Sequence, residues 1–453
     1  MILLWTACTQ RPVILTPSPT EVVSDSGTPP PHEPLRVYGE NPPEADDIDA
    51  ADNAVHVELI ASVGAFRHDL KWAYNGNVPG PTIRANVGDN LTVDLHSDLP
   101  ADTSIHWHGV HLPWEMDGAD WQQTPVPPGG DRLYTFALDR AGTFWYHPHF
   151  DSEQQVDRGL VGVLVVEDPS EPKPDVEWTW VLDVHDETLQ DSGDTGSADP
   201  HAEISATPAW VINGAPDPEW HVAGGTTVRV RILNASNQNY LQLDWPGARA
   251  IGGDQGLLAA PTEVLPLLAP GDRLVVDLHP GMASTDVFAL PFSSVGGPSP
   301  LDTPTRLATV IPDTPATSAA PLPWAFTGGV PATDQPADIV FTLTGDGDDW
   351  RINQQTWPDV TIPEVKLGAD VVVEVRNLSS SHHPWHVHGL PFDVLSVDGM
   401  ALGVATREDT IDVAIGQTVR TRLSADLAGD WMAHCHILPH AHDGMMTVIR
   451  VLP

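Results

Sequence analysis

The chain has 453 residues, 62 of them acidic and 21 basic, for a formal net charge of −41. That balance excludes nucleic acid as a partner, because phosphate binding needs Lys and Arg, and it disfavours an anionic membrane surface. Two distant cysteines, Cys8 and Cys435, exclude a disulfide framework, and 37 glycines with 45 prolines suit short strands and turns better than long helices.

Residues 1–8 read MILLWTAC, a short apolar run ending at a cysteine. It resembles the end of a bacterial lipoprotein signal, although it lacks a basic start and its apolar stretch is short. Cys8 is therefore a candidate lipid attachment point, and export is the expected fate. From Pro12 to Asp52 the chain is rich in Pro, Ser, Thr, Asp and Glu, with PPP at 29–31 and PPEADD at 42–47. Such a composition buries no core, so residues 1–52 are expected to be the start signal and a solvated tether. No run of about 18 apolar residues marks a transmembrane helix.

After residue 52, apolar and polar residues alternate between Gly, Pro, Asn and Asp, the pattern of half-buried strands in sandwiches or barrels. The strands repeat. VGDNLTVDL at 87–95 matches LGADVVVEV at 367–375, and the same shift of 280 carries His106, His108 and Gly109 onto His386, His388 and Gly389. AGTFWYHPHF at 141–150 matches AGDWMAHCHI at 428–437, so a shift of 287 carries His147 and His149 onto His434 and His436. Between them, GGTTVRVRI at 224–232 is a third copy. A shift of 137 takes His106 and His108 to Leu243 and Trp245, so the middle copy has the strand without the histidines. An all-β fold of three similar sandwich or barrel domains follows, expected at 53–170, 171–315 and 335–453, with a linker at 316–334. The segments NGNVPGPTI, INGAP and INQQTW are expected to open the ligand-facing part of each copy.

On a strand, residues i and i+2 share a face, about 6.6 Å apart. One His-x-His pair is weak evidence of anything. Four of them, at 106/108, 147/149, 386/388 and 434/436, stand symmetrically in copies one and three and are missing from copy two. Core packing gives no reason for that arrangement. Eight neutral imidazoles suit copper, zinc or iron rather than calcium or magnesium, and they place a metal site at the interface of the first and third domains. Cys435 alternates with His434 and His436 and so faces the other way. With His383 in HPWHVH, His440 five residues on and Met445 ten residues on, it completes two His, one Cys and a distant Met, the donor set of a blue-copper electron-transfer site.

HWHG at 106, HPH at 147, HPWHVHG at 383 and HCHILPHAHDGM at 434 stand in the order of the four copper motifs of multicopper oxidases. The chain after residue 52 resembles three-domain, laccase-like bacterial members of that family. The resemblance implies cupredoxin-like Greek-key domains and four copper ions. A type 1 ion would sit on His383, Cys435, His440 and axial Met445, and a type 2 ion on His106 and His386. A type 3 pair would use His108, His147 and His436 on one ion, and His149, His388 and His434 on the other. It further implies that a phenolic, amine or low-valent metal substrate gives single electrons at the type 1 site. These cross the Cys435 strand to reduce dioxygen to water. A monomer is expected, and the apolar start, Cys8 and the tether put it outside the cytoplasm. Asp117, in EMDG, matches an acidic residue near the type 2 copper and is the candidate for proton supply. Bacterial relatives commonly place a glutamate after the second type 1 histidine, where this chain has Ala441.

His111, His382 and His442 lie near these motifs but off their pattern, and are expected at the surface or hydrogen-bonded outside the ligand sets. Three other readings are weaker. A copper nitrite reductase would lack the doubled His-x-His set. A non-catalytic periplasmic relative would have lost ligands, and none is missing. A copper store would favour Met-rich segments, and the chain has only 7 Met.

Overall fold

The structure, a computed structural model, describes residues 36–37, 40–49, 51–66, 69–119, 121, 123–185, 209–296, 299, 301, 303–322, 335–347, 349–402 and 406–453. The apolar start, Cys8 and most of the expected tether lie outside them. So do residues 323–334 of the expected linker, while 316–322 form no strand. Among the described residues no helix is long and apolar enough to cross a membrane.

The fold is all-β, with six sheets in three cupredoxin-like pairs that repeat one wiring. In the first pair, Asn90–Ser97 lies parallel to Ala54–Phe66 and antiparallel to Asp131–Ala137. Val228–Asn234 lies in the same way between Val176–His185 and Arg273–Leu278. Ala369–Asn377 does so between Ile339–Asp346 and Thr418–Ala425. These three central strands are the repeated segments of the sequence. Before each stands a left-handed glycine, Gly88, Gly225 or Gly368, with φ of +97°, +82° and +81°, a conformation that a Cβ penalises. Asn75, Asn213 and Asn353 share a left-handed backbone too, with φ of 53°, 51° and 52°. Each clamps the neighbouring strand through its side-chain amide. Asn75 accepts from Ile60 N and donates to Glu58 O, Asn213 serves Val181 and Thr179, and Asn353 serves Thr342 and Val340. Asn is suited to this because it tolerates the left-handed region and bonds nearby main chain.

Each pair encloses its own core. In the first, Trp107 packs edge-on against Tyr134 and Phe136, with ring centroids 5.7 and 5.3 Å apart. In the second, Trp178, Trp180, Trp220 and Trp245 cluster, and Trp245 stacks on Trp180 at 4.8 Å. Several of the 16 tryptophans are thus core packing. The middle copy corrects one expected register. Leu243 and Trp245 point into their own core, while Gln242 and Asp244 turn outward as His106 and His108 do. The correspondence slips by one residue, which on a strand exchanges the two faces.

The expected tether also ends earlier than residue 52. Ala45 N donates to Thr82 O, Thr82 N to Pro43 O and Ile48 N to His56 O. Asn41 accepts from Thr179 N, and Pro42 is buried. Residues 40–49 are therefore docked on the sheets by main-chain bonds that their polar composition does not advertise.

Candidate metal centre

Strand alternation separates the donors into two sets. His106–His108 pairs antiparallel with Gly142–His147, His106 opposite His147. His383–Val387 pairs with Gly429–Cys435, His386 opposite His434. Trp107 faces the first core, and Trp385 and Val387 face the third, so His106 and His108 beside Trp107, and His386 and His388 beside Val387, face outward, where the first and third sheet pairs meet. His383 has the parity of Trp385, and Cys435 the opposite parity to His434. Both therefore point into the third core with Met445. One stretch of strand thus serves two sites.

The outward set brings the eight imidazoles together. Three groups have their donor atoms within 4.8 Å of one another: His108, His147 and His436; His149, His388 and His434; and His106, His386 and His388. The first two are the expected type 3 sets. The third holds the expected type 2 pair and adds His388, which belongs to two groups. The inward set is His383, Cys435 and His440. His383 Nδ1 lies 3.3 Å and His440 Nδ1 3.6 Å from Cys435 Sγ. Met445 is fully buried beside them; its N–H donates to His440 O and its carbonyl accepts from Cys435 N. Trp350 covers the ring of His440 at 4.0 Å, and that histidine alone of the set is partly exposed.

Hydrogen bonds dictate where the lone pairs point. His106, His147, His386 and His434 donate Nδ1–H to the carbonyls of Asp117, Pro148, Asp409 and Cys435 at 2.8–2.9 Å. His388 donates Nδ1–H to Asp117 Oδ2 at 2.8 Å. Each Nε2 is then a bare lone pair. Those of His106, His108, His147 and His386 are buried without a partner, as are both nitrogens of His436. Nε2 of His388 and of His434 face each other at 3.0 Å, although neither has a proton to share. Buried polar atoms are normally paired, and facing lone pairs repel. Cations among them would take up these lone pairs, one from each ring, so the donor set fits bound metal. In the inward set, Ser379 Oγ donates to Asn377 Oδ1 and so accepts from His383 Nε2–H at 2.7 Å, leaving His383 Nδ1 to face the sulfur.

Burial sets the charge states. It pushes His440 down to about 3 and holds His108, His147, His383, His388, His434 and His436 well below the usual imidazole range. At neutral pH these rings are uncharged and their lone pairs available. Burial also pushes the Cys435 thiol up, so ionising it needs a compensating cation.

Asp117 is buried as the carboxylate neighbour of His106 and His388. A second carboxylate, Asp409, lies equally buried beside His108 and His386. Sequence reading missed it, because no histidine stands near it in the chain. Trp350 was missed for the same reason; Ser379 stands only four residues before His383, but a serine there carries no mark of its hydrogen bond. The set-aside histidines lie outside the ligand groups. His111 bridges Asp139 and Asp426, His382 bonds Asp412, and His442 is exposed.

Two family models, both described as multicopper oxidase, match residues 62–171 and 332–453. The chain is 30% identical over 428 residues to multicopper oxidase MmcO of Mycobacterium tuberculosis, covering 83% of this chain and 82% of that one. It is 27% identical over 459 residues to Laccase-1 of Fomitopsis schrenkii, covering 83% and 82%. The crystal structure of a multicopper oxidase from Pseudomonas thermotolerans superimposes with a TM-score of 0.74 at 30% identity, over 88% of this chain and 99% of that one. Likeness of that degree across most of both chains places this protein in the multicopper oxidase family, as a copper-dependent oxidoreductase.

Proposed function

We propose that the protein takes single electrons from a reducing substrate at the Cys435 set and reduces dioxygen to water at the eight-histidine set. Four copper ions would be held: one by His383, Cys435, His440 and Met445, one by His106 and His386, and two by the remaining histidines. Bound copper supplies one-electron transfer at the first set and dioxygen reduction at the second. The observation that carries the reading is the alternation along His434, Cys435 and His436. The sulfur belongs to one donor group and both flanking imidazoles to the other. The covalent path between the sets is therefore a single residue of backbone. Ser379 keeps His383 in the tautomer that faces the sulfur, and the third core excludes water from Cys435. The exposed edge of His440 is the side on which a phenol, an aryl amine or a low-valent metal ion docks. We place the enzyme outside the cytoplasm as a monomer, with lipid on Cys8 as its anchor; the mass of the native N-terminal peptide decides the last point.

The test is dioxygen uptake by copper-loaded protein with a phenol, Cu(I), Fe(II) and Mn(II). One dioxygen should disappear per four electrons, without hydrogen peroxide. Cys435→Ser should lose the blue colour and this activity while the histidine set still binds copper. A wild type that stays colourless when fully loaded with Cu(II), or consumes no dioxygen with any donor, overturns the reading.

A further inference from the structure

Asp409 stands to the histidines of the third sheet pair as Asp117 stands to those of the first. The Asp117 carbonyl accepts from His106 Nδ1 at 2.8 Å, and its carboxylate accepts from His388 Nδ1 at 2.8 Å. The Asp409 carbonyl accepts from His386 Nδ1 at 2.9 Å, and its carboxylate lies 3.2 Å from His108 Nδ1. Each aspartate therefore holds the first histidine of its own His-x-His pair through the main chain. It holds the second histidine of the other pair through the side chain. The rings follow the same exchange: His106 stacks on His388 at 3.9 Å and His108 on His386 at 3.7 Å.

The two aspartates differ in what holds them. Asp117 Oδ1 accepts no hydrogen bond. Both oxygens of Asp409 are gripped from the second sheet pair, which has no His-x-His pair of its own. The fully buried Arg273 donates Nη1 to Oδ1 at 2.8 Å and Nη2 to Oδ2, and Gln255 Nε2 donates to Oδ2 at 2.6 Å. Arg273 is anchored in turn by the carbonyls of Thr143 and Gly271 and by Asp254. The glycine of HWHG makes room for this pair, since a Cβ on Gly109 would collide with the Asp409 carboxylate and the Arg273 guanidinium.

Arg273 Nη1 also lies 3.4 Å from His108 Nδ1. A guanidinium only donates. Were it the nearest polar group, it would favour a lone pair on Nδ1 and the proton on Nε2, and His108 would turn an N–H toward His147 and His436. Asp409 Oδ1 opposes this: it accepts from Arg273 Nη1 at 2.8 Å and, 3.2 Å from His108 Nδ1, is the nearer acceptor for a proton there. We propose that the Arg273–Asp409 pair is a positioning device through which the second sheet pair sets the tautomer and orientation of His108 and His386, one histidine from each flanking pair. The proposal rests on the reading that these histidines ligate metal.

The tautomers can be read without metal, from long-range proton–nitrogen correlations of the copper-free, histidine-labelled full chain. The wild type should show Nδ1–H on His106, His108, His386 and His388. Asp409→Ala should move the His108 proton to Nε2 while His106 and His388 keep theirs. It should also weaken copper binding at the histidine set by about 10–100-fold, as loss of a group behind a ligand does, with the blue band intact. Arg273→Lys keeps the charge and loses the two-pronged grip, so His108 should appear as a mixture of tautomers. A pure Nδ1–H signal for His108 in that variant overturns the proposal even if Asp409→Ala does not fold. So does an unchanged His108 in Asp409→Ala. Failure here leaves dioxygen uptake untouched as the judge of the oxidase reading.

Discussion

Replacing Asp117 by Asn changes one oxygen for one NH2 at a site 2% exposed. In the first orientation the amide oxygen keeps the 2.8 Å bond from His388 Nδ1, now to a neutral acceptor. The NH2 then takes the place of Oδ1, 3.4 Å from His106 Nδ1, whose proton is already given to the Asp117 carbonyl. A donor faces a donor, and the new NH2 is left without an acceptor. In the second orientation the NH2 meets His388 Nδ1–H directly, which is worse. Losing a charge-assisted bond and stranding a buried donor each cost about 1–3 kcal/mol. Expressed at the histidine set, about 1.4–2.8 kcal/mol is a factor of about 10–100. As Ala441 cannot carry protons, we also propose Asp117 as the carboxylate that delivers them, and losing an acid–base group costs about 10²-fold or more. Asp117→Asn should therefore keep its blue colour and accept electrons from substrate at a near-normal rate. Its reoxidation by dioxygen should slow by about 10²-fold. The assay is stopped flow: the protein is reduced anaerobically, mixed with air-saturated buffer, and the return of the blue band is timed. Reoxidation at the wild-type rate would refute the reasoning and leave Asp117 as a turn residue.

Other outcomes follow from charge and packing. The copper-free protein should lose stability as pH falls from about 6.5 toward 3. Buried imidazoles such as His108, His147 and His440 stay neutral in the fold while the unfolded chain takes up protons. Each adds a slope of up to about 1.4 kcal/mol per pH unit, present below 6.5 and absent above it. A urea midpoint unchanged between pH 7.5 and 5 contradicts this. With a net charge of −41, turnover of a cationic amine should fall with salt more steeply than that of a neutral phenol, since screening shortens the field to about 8 Å at physiological ionic strength. Equal salt dependence would mean that the charge serves only solubility. Trp245→Ala, opening the stacked core of the second sheet pair, should cost about 3–5 kcal/mol in denaturant unfolding and leave the blue band in place. A cost under about 1 kcal/mol would show that this cluster is not the core of that unit.

What the sequence determined by itself was whatever depends on strand period. His-x-His puts two imidazoles on one face, and an intervening Cys435 must face the other, so two donor sets on one strand were legible before any fold was known. The repeated Gly88, Gly225 and Gly368 were legible for a similar reason, because a local backbone requirement leaves a local mark. The face of the middle copy was not legible from the repeat alone: a one-residue slip put Leu243 and Trp245 inward, as their alternation with Gln242 and Asp244 requires, whereas counting by the repeat superimposes them on outward histidines. Asp409 was hidden by spacing. Asp117 lies 11 residues from the histidine its carbonyl holds, and Asp409 lies 23 residues from its own. No sequence shift superimposes them, although they perform the same exchange in space. Arg273 was still less visible, 136 residues from Asp409 in a copy without His-x-His pairs. Such groups are chosen by where three packed sheet pairs bring side chains together. Periodicity acts along one strand, whereas the choice of which carboxylate backs which imidazole is made only when the domains close on one another.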